Sequence, residues 1–563
     1  MAIVRDACWP LVFDSRNLRV RLFSILRRIG FCATPKMAQQ SQTVGTITRT
    51  TERTDLVKGL GLFDATMIVM GSMIGSAIFI VSGDTAHQVQ SPGLLLLVWL
   101  IAGVMTIICA LAYGELAAAM PHAGGQYVFL RESLGPIWGF LYGWTMLLVI
   151  QTATIAAVAI AFAKFTAVML PFFSASEWIW KVGTIGPWHS WFGTLGPYSV
   201  GLNRQNLLAI ASIVFLTWLN TRGIRVGKIV QNIFTIAKVA ALGFLVLLGL
   251  FFSTAVARSA NFTDFWRNAS LSLSHPYPPD QPTWLIGTIT LVGVAMVGAL
   301  FAADAWNNVT FTAAEVKNPS RNLPLALALG SGVVILLYVL VNFGYMRILP
   351  LSGDPHGATA LARGIEFAAD GRVATAAVEV VIGPAGAIVM AIAILVSGFG
   401  CNNGLILSGA RIYYAMAKDG LFFESTGTVN RFHAPSAALI VQCVWCCVLC
   451  LSGTYSQLLD FIIFAVVIFY ILTLSGLFLL RWKRPEMPRP YRAFGYPVLP
   501  AVYLVMAVFI EIQLLRYKPQ YTWPGLIIVL LGVPVYAVWS RRKVPATVEV
   551  TSSAEPDNST WEA

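Results

Sequence analysis

The sequence predicts an all-α polytopic membrane protein with about twelve transmembrane helices, two of which are broken near their centres. The first observation is composition: 57% of the 563 residues are hydrophobic, 11% are charged, and the mean hydropathy is +0.72. These values lie outside the range of soluble domains. The second is a succession of apolar segments near the roughly 20 residues that cross a bilayer. The third is a pair of polar or glycine-rich interruptions, at 71–79 and 301–308.

The apolar segments follow one another along the chain with mostly short connections. The candidate spans are residues 63–84, 93–118, 136–170, 205–221, 229–252, 284–315, 323–346, 384–414, 434–452, 456–481, 497–516 and 523–540. The long connection at 171–204 is rich in Trp, Gly and Pro, and we expect it to form an external cover.

The distribution of basic residues predicts the orientation. They are concentrated in residues 1–58, in alternate short loops and after the last span. Cytoplasmic loops carry an excess of Lys and Arg, so both termini are predicted in the cytoplasm of a plasma or inner membrane. The predicted organisation is a basic N-terminal tail (1–58), a transmembrane domain (59–541) and a C-terminal tail (542–563). Residues 1–36 are either part of the natural start or an extension before Met37.

Composition also excludes several classes of protein. The net charge of +12 is a topology signal, because there is no soluble domain with a basic face for nucleic acid. All six His residues fall in loops or near span ends, so we expect no metal site, no cofactor and no membrane-embedded enzyme. The four Cys of 443–450 have helical spacing, which is typical of small packing residues but also compatible with a metal cluster.

The interruption at 71–79 places polar backbone in the bilayer centre. Unpaired N–H and C=O groups are costly in lipid, so a span is broken only where it faces protein, water or a ligand. The outer half of this span begins near Ser76. Its free N–H groups, at Ser76, Ala77 and Ile78, carry roughly half a positive charge and suit a carboxylate.

The interruption at 301–308 has the opposite polarity. Its outer half-helix ends near Phe301, so the last carbonyls, from Gly298 to Ala302, carry partial negative charge and suit an ammonium group. A pair of broken spans is typical of secondary transporters, and an α-amino acid would satisfy both ends. The alternative, that Gly71 and Gly75 only permit close helix packing, accounts for the first break but not for the second. The predicted substrate-binding residues are Met73, Gly75, Ser76, Ala77, Ile78, Phe301, Ala302, Ala303 and Asp304.

Four stretches of the sequence resemble signatures of the amino acid–polyamine–organocation superfamily. They are Gly71-Ser-Met-Ile-Gly75-Ser-Ala-Ile-Phe79, Glu115-Leu-x-x-x-Met-Pro121-x-Ala-Gly-Gly125-Gln-Tyr127, Ala313-x-Glu315-Val-Lys-Asn-Pro319 and Gly409-Ala-Arg411-x-x-Tyr-Ala-Met416-Ala-x-Asp419-Gly420. Within the superfamily the chain is most similar to the L-type amino acid transporters and their bacterial relatives, over roughly residues 55–540.

The resemblance implies a leucine-transporter-type fold with two inverted five-helix repeats (63–252 and 284–481) and two peripheral helices (497–540). It also implies alternating access by rocking of a helix bundle. Ser76 and Ala77 match the carboxylate-binding backbone, and Phe301 matches an aromatic gate on the outer side. The carbonyls of Phe301, Ala302 and Asp304 match amine-binding positions. Ala77 and Ala305 stand where Gly is common, and Ala303 where many relatives carry an aromatic residue, which leaves substrate size open.

Lys238 lies near the middle of the apolar span 229–252. A lysine at a span centre costs roughly 3 kcal/mol on insertion scales, so it should face the protein interior. In the resembled family a lysine here occupies the place of a sodium ion. That match implies contacts with carbonyls near Gly71 and with the hydroxyl of Ser397, and sodium-independent transport. The alternative is a structural cation that ties three spans together.

The remaining charged residues allow two interpretations each. Asp304 either caps an inner half-helix that begins at Trp306 or contacts a cationic substrate. Four charged residues lie near the predicted cytoplasmic ends of spans: Glu115, Arg131, Glu315 and Arg411. They either form the ion pairs of an inner gate or are ordinary interfacial charges.

The predicted function is therefore amino acid transport by alternating access, with sodium-independent exchange, proton-coupled uptake and facilitated diffusion left open. Rival hypotheses are a non-transporting amino acid sensor on the same scaffold and a polyamine or organocation carrier. The expected partners are the amino acid, the lipid bilayer and, for a symporter, protons. Residues 171–204 contain no Cys, so no disulfide-linked heavy chain is expected.

Overall fold

The structure is a computed structural model that describes residues 56–190, 193–195, 198–267, 284–452, 455–517 and 519–541. It confirms a helical, polytopic membrane fold. Eight helices in these ranges are long and apolar enough to cross a bilayer, and shorter apolar helices accompany them. Nearly all of the two predicted tails lies outside the described residues, and the repeat boundaries stay predictions.

The first half of the described chain contains the following helices: α1 (Leu62–Met73), α2 (Val81–Val89), α3 (Pro92–Ala119), α4 (Gln126–Leu134), α5 (Pro136–Thr145), α6 (Gln151–Met169), α7 (Arg204–Asn220), α8 (Ile224–Phe251) and α9 (Ala255–Phe262). A 3-10 turn, Ala77–Phe79, lies between α1 and α2, and a π-helical turn, Met146–Ile150, joins α5 to α6. The predicted span 136–170 is thus one continuous crossing with a local widening.

The second half contains α10 (Trp284–Ala302), α11 (Asn308–Phe311), α12 (Pro319–Ile348), α13 (Ala360–Arg363), α14 (Val373–Ile382), α15 (Ala385–Lys418), α16 (Ser436–Ser452), α17 (Tyr455–Lys483), α18 (Val498–Tyr517) and α19 (Pro519–Trp539). Three further 3-10 turns lie in the connections, at Ala313–Glu315, Ala369–Gly371 and Glu424–Gly427.

The segment predicted as an external cover forms β-structure that the sequence analysis did not predict. After a 3-10 turn at Pro171–Phe173 come β1 (Trp178–Ile185), β2 (Trp188–Ser190), β3 (Gly193–Leu195) and β4 (Tyr198–Asn203). β1 pairs antiparallel with β4, from Trp178 opposite Asn203 to Ile185 opposite Tyr198, and β2 pairs with β3. Trp, Ile and Val favour strands, but apolar residues occur on both faces of β1, so its sequence lacks the apolar–polar alternation of a half-buried strand.

Local capping explains several helix starts. Asn203 ends β4 and its side-chain oxygen accepts a hydrogen bond from the N–H of Asn206 at 2.7 Å, so α7 begins directly after the strand. Asp64 accepts from the N–H of Gly61 at 3.0 Å at the start of α1. Pro92 and Pro319 occupy the first turns of α3 and α12, where no N–H is needed.

Two faces of the bundle are defined by helix ends. We call the face at which α1 begins, at Leu62, the near face, and the one at which α2 ends, at Val89, the far face. On the near face the N–H groups of Gly59 and Leu60 donate to Glu315 O at 2.9 and 3.0 Å. On the far face Asn261 donates to the carbonyls at the end of α12, Met346 and Leu349, at 2.7 and 2.9 Å.

Candidate functional site

Both predicted interruptions are present. The first lies between α1, which ends at Met73, and the 3-10 turn that begins at Ala77. Ile74 has an extended backbone, with φ −75° and ψ 95°. The hydrogen bonds of the outer half start with Phe79 N–H to Ser76 O at 3.2 Å. Because the first donors of a helix have no acceptor within it, the turn itself provides no acceptor for the backbone N–H groups of Ala77 and Ile78.

The ammonium of Lys238 lies against the near side of this break. Its Nζ donates to the carbonyl oxygens of Gly71 at 2.6 Å, Ile74 at 2.8 Å and Ser397 at 3.3 Å. Lys238 is completely buried, so α8 brings it to the interior, as predicted. Three acceptors match the three N–H donors of an ammonium group. The break supplies two of them, since a continuous helix would occupy those carbonyls with its own hydrogen bonds.

One predicted contact is corrected. Lys238 was expected to touch the hydroxyl of Ser397, but it contacts the carbonyl oxygen instead. The Ser397 hydroxyl donates to Gly75 O at 3.0 Å and to Ile74 O at 3.3 Å. A hydroxyl has a single proton, and here that proton serves the carbonyls that the break exposes. α15 thus holds the break through a side chain while its backbone holds the lysine.

Gly71 allows α1 and α8 to approach closely. A Cβ atom at this position would lie 1.9 Å from Gln231 Nε2 and 2.3 Å from Thr235 Oγ1. At Gly75 a Cβ atom would meet only Cys401 Sγ, at 3.5 Å, an ordinary contact. The packing interpretation therefore holds for Gly71, in addition to its carbonyl contact with Lys238, and does not account for Gly75.

The second break separates α10, which ends at Ala302, from α11, which begins at Asn308. Ala305 lies within it with φ +65°, a left-handed conformation that favours glycine. The N–H of Ala303 donates to Ala299 O at 3.0 Å and that of Asp304 to Phe301 O at 3.2 Å. Phe301 itself is half-buried at the end of α10, on the far-face side of the break.

The predicted capping role of Asp304 is wrong. α11 begins later than Trp306, with Asn307 before it, and Asn307 makes no side-chain capping bond. Asp304 instead accepts a hydrogen bond from the hydroxyl of Tyr470 at 2.5 Å. The turn after Ala302 points the carboxylate at α17, and the sequence spacing alone could not reveal that contact. Trp306 stacks on the same tyrosine with ring centroids 5.3 Å apart.

A narrow cavity lies beside the second break, between α4, α5, α6, α15 and α17. Its lining residues are Gln126, Tyr142, Met146, Ile150, Gln151, Thr154, Asp304, Ala305, Asn307, Asn308, Leu405, Val466 and Tyr470. The volume that water can occupy inside it is about 20 Å³, enough for about one water molecule. An amino acid would therefore require this cavity to widen.

Of the predicted substrate-binding residues, only Asp304 lines this cavity. Those of the first break, 73–78, and Phe301, Ala302 and Ala303 of the second are not part of the lining. Gln151 and Thr154, two polar residues within a span, also line the cavity but were not predicted as site residues. Asn307 and Asn308 line it too; they belong to the predicted interruption 301–308 but were not among the predicted binding residues. The π-helical turn, which often marks a functional position, contributes Met146 and Ile150 and has no clear sequence signature.

Polar side chains cross the bundle between the cavity and the near face. Asn307 Nδ2 donates to Gln126 Oε1 at 2.8 Å, and Gln126 Nε2 donates to Thr473 Oγ1 at 3.1 Å. The N–H of Gly124 donates to Phe311 O at 3.0 Å. These bonds join α4, α11 and α17 and close the near-face side of the site.

The four charged residues among the predicted gating residues all form ion pairs on the near face. Arg411 and Glu315 are fully buried and make two hydrogen bonds, at 2.8 and 3.1 Å. Arg481 binds both oxygens of Glu115 at 2.9 and 2.5 Å, a partner that the sequence did not identify. Charges this deep are costly unless paired, and in these contacts each acidic side chain lies against a guanidinium.

Arg131 pairs with Asp419, to which Tyr127 also donates its hydroxyl proton. Burial lowers the pKa of the Arg131 guanidinium, but the attraction of Asp419 outweighs it and the pKa is raised overall. Burial is also the largest cause of the raised pKa of Tyr127, followed by the charge of Asp419. The Arg131 guanidinium and the Tyr127 hydroxyl therefore both keep their protons at neutral pH.

Long apolar helices, two broken spans, a buried lysine bonded to the first break and a cavity with a polar lining beside the second define a multi-pass membrane transporter. The chain belongs to the amino acid permease family, whose family model matches residues 60–535. It is 30% identical to the large neutral amino acids transporter small subunit 2 of Rattus norvegicus, over 85% of this chain and 80% of that protein.

Two human relatives are similar over comparable lengths. The b(0,+)-type amino acid transporter 1 is 28% identical over 85% of this chain and 86% of its own length. The Asc-type amino acid transporter 1 is 27% identical over 90% of this chain and 88% of its own. The predicted resemblance to L-type transporters is confirmed, and the family consists of transporters rather than enzymes.

Proposed function

We propose that this chain carries amino acids across the membrane by alternating access, with the substrate held between the two breaks. Its carboxylate would accept hydrogen bonds from the backbone of Ser76, Ala77 and Ile78. Its ammonium would donate to the carbonyls of Phe301, Ala302 and Asp304. The observation that carries the proposal is the pair of interrupted helices, one presenting a helix start and the other a helix end.

The near face is proposed as the cytoplasmic face, with both termini inside. Support comes from the Lys and Arg residues of the near-face connections, in accordance with the positive-inside rule. The contacts of Gln126, Arg411 and Glu115 then form the inner gate. In the conformation described here that gate is closed, and Phe301 lies on the outer side of the break as the proposed outer gate.

Lys238 is proposed to replace a sodium ion. Its ammonium is surrounded by carbonyl oxygens of the first break and of α15, which are ligands that an alkali cation would use. A positive charge on Lys238 would make an added cation unfavourable, because like charges repel in a low dielectric. Transport should therefore proceed without sodium, as exchange or with protons. An uptake that disappears when choline replaces sodium would contradict this.

A second candidate function is transport of cationic substrates such as polyamines. One observation favours it: the carboxylate of Asp304 lines the cavity. Tyr470 occupies one of its oxygens, so a cation would have to compete with or join that hydrogen bond. The preferred proposal remains amino acids, since the named relatives are all amino acid transporters.

The deciding experiment is counterflow in proteoliposomes against a panel of neutral and basic amino acids and polyamines, with and without a pH gradient. Trans-stimulated uptake of an amino acid supports the proposal. Specific binding without flux would identify an amino acid sensor instead. Acceleration by an inward proton gradient distinguishes symport from exchange.

We also propose that transport requires no disulfide-linked partner. The connection at 171–204, which forms β1 to β4, contains no Cys, and the described cysteines are all free and lie in helices. Full counterflow by the purified chain under reducing and non-reducing conditions is the expected result. A covalent heterodimer on a non-reducing gel of native membranes would contradict it.

A further inference from the structure

An apolar groove on the membrane-facing surface is separate from the substrate cavity. It lies between α3, α10 and α18 and is lined by Leu94, Leu97, Ile101, Thr288, Ile289, Val292, Gly293, Met296, Val505, Met506, Phe509 and Ile510. Its volume is about 400 Å³. The groove is open to the side, because Val505 is 72% exposed and Ile289 47% exposed, while Ile510 at its floor is buried.

The groove has the dimensions of a lipid chain. From Leu94 to Ile101 it follows α3 for seven residues, or about 10 Å along the helix axis. That length lies within the far half of a hydrocarbon core of roughly 30 Å. An apolar cavity of about 150 Å³ binds benzene, so 400 Å³ has room for on the order of fifteen carbons.

A basic residue, Arg267, directly follows two residues that pack on the far-face end of the groove. The N–H of Gly93, next to Leu94, donates to Phe265 O at 2.8 Å, and the Trp266 ring packs directly on Gly93. Arg267 is therefore held at the start of α3, where the helix leaves the bilayer. Its Nε is buried and has no acceptor among the described residues. Arginine is well suited to phosphate because its guanidinium donates two parallel hydrogen bonds.

We propose that this groove is a binding site for a phospholipid of the far leaflet, with one acyl chain along α3, α10 and α18 and its phosphate on Arg267. The chain fills a space that water cannot stabilise, and the phosphate supplies the acceptor that Arg267 Nε lacks. Van der Waals packing, rather than transfer from water, stabilises such a contact inside a bilayer. The lipid would pack against α10, the half-helix that ends at the second break.

The test uses a phosphatidylglycerol with a photoactivatable diazirine in one acyl chain, incorporated at trace level into nanodiscs with the full chain. Adducts mapped by mass spectrometry should concentrate on peptides of α10 and α18. Gly293→Leu fills the groove and should reduce them several-fold. Gly332→Leu is the control on α12, outside the groove lining: a Cβ atom at Gly332 meets nothing within 4 Å, whereas one at Gly293 lies 3.0 Å from the groove residue Phe509.

Two further arms keep the test decisive. If size exclusion shows that Gly293→Leu does not fold, Ile289→Trp is used instead, because it blocks the exposed opening of the groove. Arg267→Gln should reduce labelling by the phospholipid, and a diacylglycerol with the same chain should label the wild type more weakly. Equal labelling of wild type and groove variants, adducts spread over all lipid-facing helices, or equal labelling by the diacylglycerol would each overturn the proposal.

Discussion

The Nζ atom of Lys238 lies 2.8 Å from the carbonyl oxygen of Ile74, the residue at which α1 stops being helical. A cation on one span is thus bonded to the backbone break of another. The contact stabilises the broken conformation, because without it the Gly71 carbonyl would lose its ammonium donor and the Ile74 carbonyl would keep only the Ser397 hydroxyl, at 3.3 Å. The proposed coupling role and the structural role of the lysine therefore act through the same atoms.

Lys238→Ala should abolish or uncouple flux. Removal of the ammonium leaves the carbonyls of Gly71 and Ile74 without this donor, a cost of about 1–3 kcal/mol for each unsatisfied group. Counterflow in proteoliposomes measures the effect on transport, and thermal unfolding in detergent measures stability. Lys164→Ala is the control, since that lysine is exposed near the far end of α6. Unchanged kinetics in Lys238→Ala, with lower stability, would leave only the structural role.

Gly71→Ala and Gly75→Ala should behave differently although both glycines flank the first break. The new Cβ at 71 overlaps Gln231 and Thr235, whereas the one at 75 makes an ordinary contact with Cys401. We expect Gly71→Ala to lose about 1–3 kcal/mol of stability and Gly75→Ala to fold normally. Fluorescence size exclusion over a temperature series compares them. Equal melting temperatures would contradict the close approach of α1 and α8.

Ala305→Gly should stabilise the protein or leave it unchanged. Ala305 adopts φ +65°, a left-handed conformation that costs an L-residue with a Cβ atom roughly 1–2 kcal/mol. Glycine avoids this cost, but its greater entropy in the unfolded state reduces the gain in stability by about 0.4–1 kcal/mol. Ala302→Gly is the control with the opposite expected sign: Ala302 ends the helix α10, where glycine should lower the free energy of unfolding by up to about 1 kcal/mol. Thermal shift assays on both variants check the order. Destabilisation by Ala305→Gly would indicate that the methyl group packs against the site.

Glu315→Gln should be strongly destabilising. The carboxylate and its partner Arg411 are fully buried, so neutralising one partner leaves an uncompensated charge at a cost of about 3–5 kcal/mol. Asp370→Asn removes the carboxylate of an exposed pair with Arg372 and should change stability by less than about 1 kcal/mol. Expression level and melting temperature of the two variants distinguish the cases. A mild effect of Glu315→Gln would mean that water reaches Arg411.

The breaks and Lys238 could be predicted because their cost in lipid is independent of tertiary detail. Gly and polar residues within an apolar run, or a lysine at its centre, require a protein or ligand partner wherever the helix packs. The inward direction of Lys238 follows from that argument, its contacts with carbonyls near Gly71 were implied by the family resemblance, and both are present in the structure. The acceptor on Ser397 did not follow, since carbonyl and hydroxyl lie within reach of the same ammonium.

Partner identity was the part that sequence spacing could not supply. Asp304 was expected to cap a helix, because capping depends only on neighbouring residues. The five residues between α10 and α11 instead direct its carboxylate toward Tyr470, 166 positions away. Glu115 was recognised as a gate candidate without its partner Arg481. The strands of 171–204 were missed because their exposed aromatic residues lack the alternation of a half-buried strand.

The amino-acid order is sufficient to establish the membrane environment, the positions of the apolar helices and of the two breaks, and the depth of the lysine. Each of these depends on the free energy of transferring one local segment into hydrocarbon. The pairing of Asp304 with Tyr470, the near-face closure through Gln126, and the lipid groove between α3, α10 and α18 depend on which helices become neighbours. That arrangement is set by side-chain packing among residues hundreds of positions apart, and no local transfer free energy contains it.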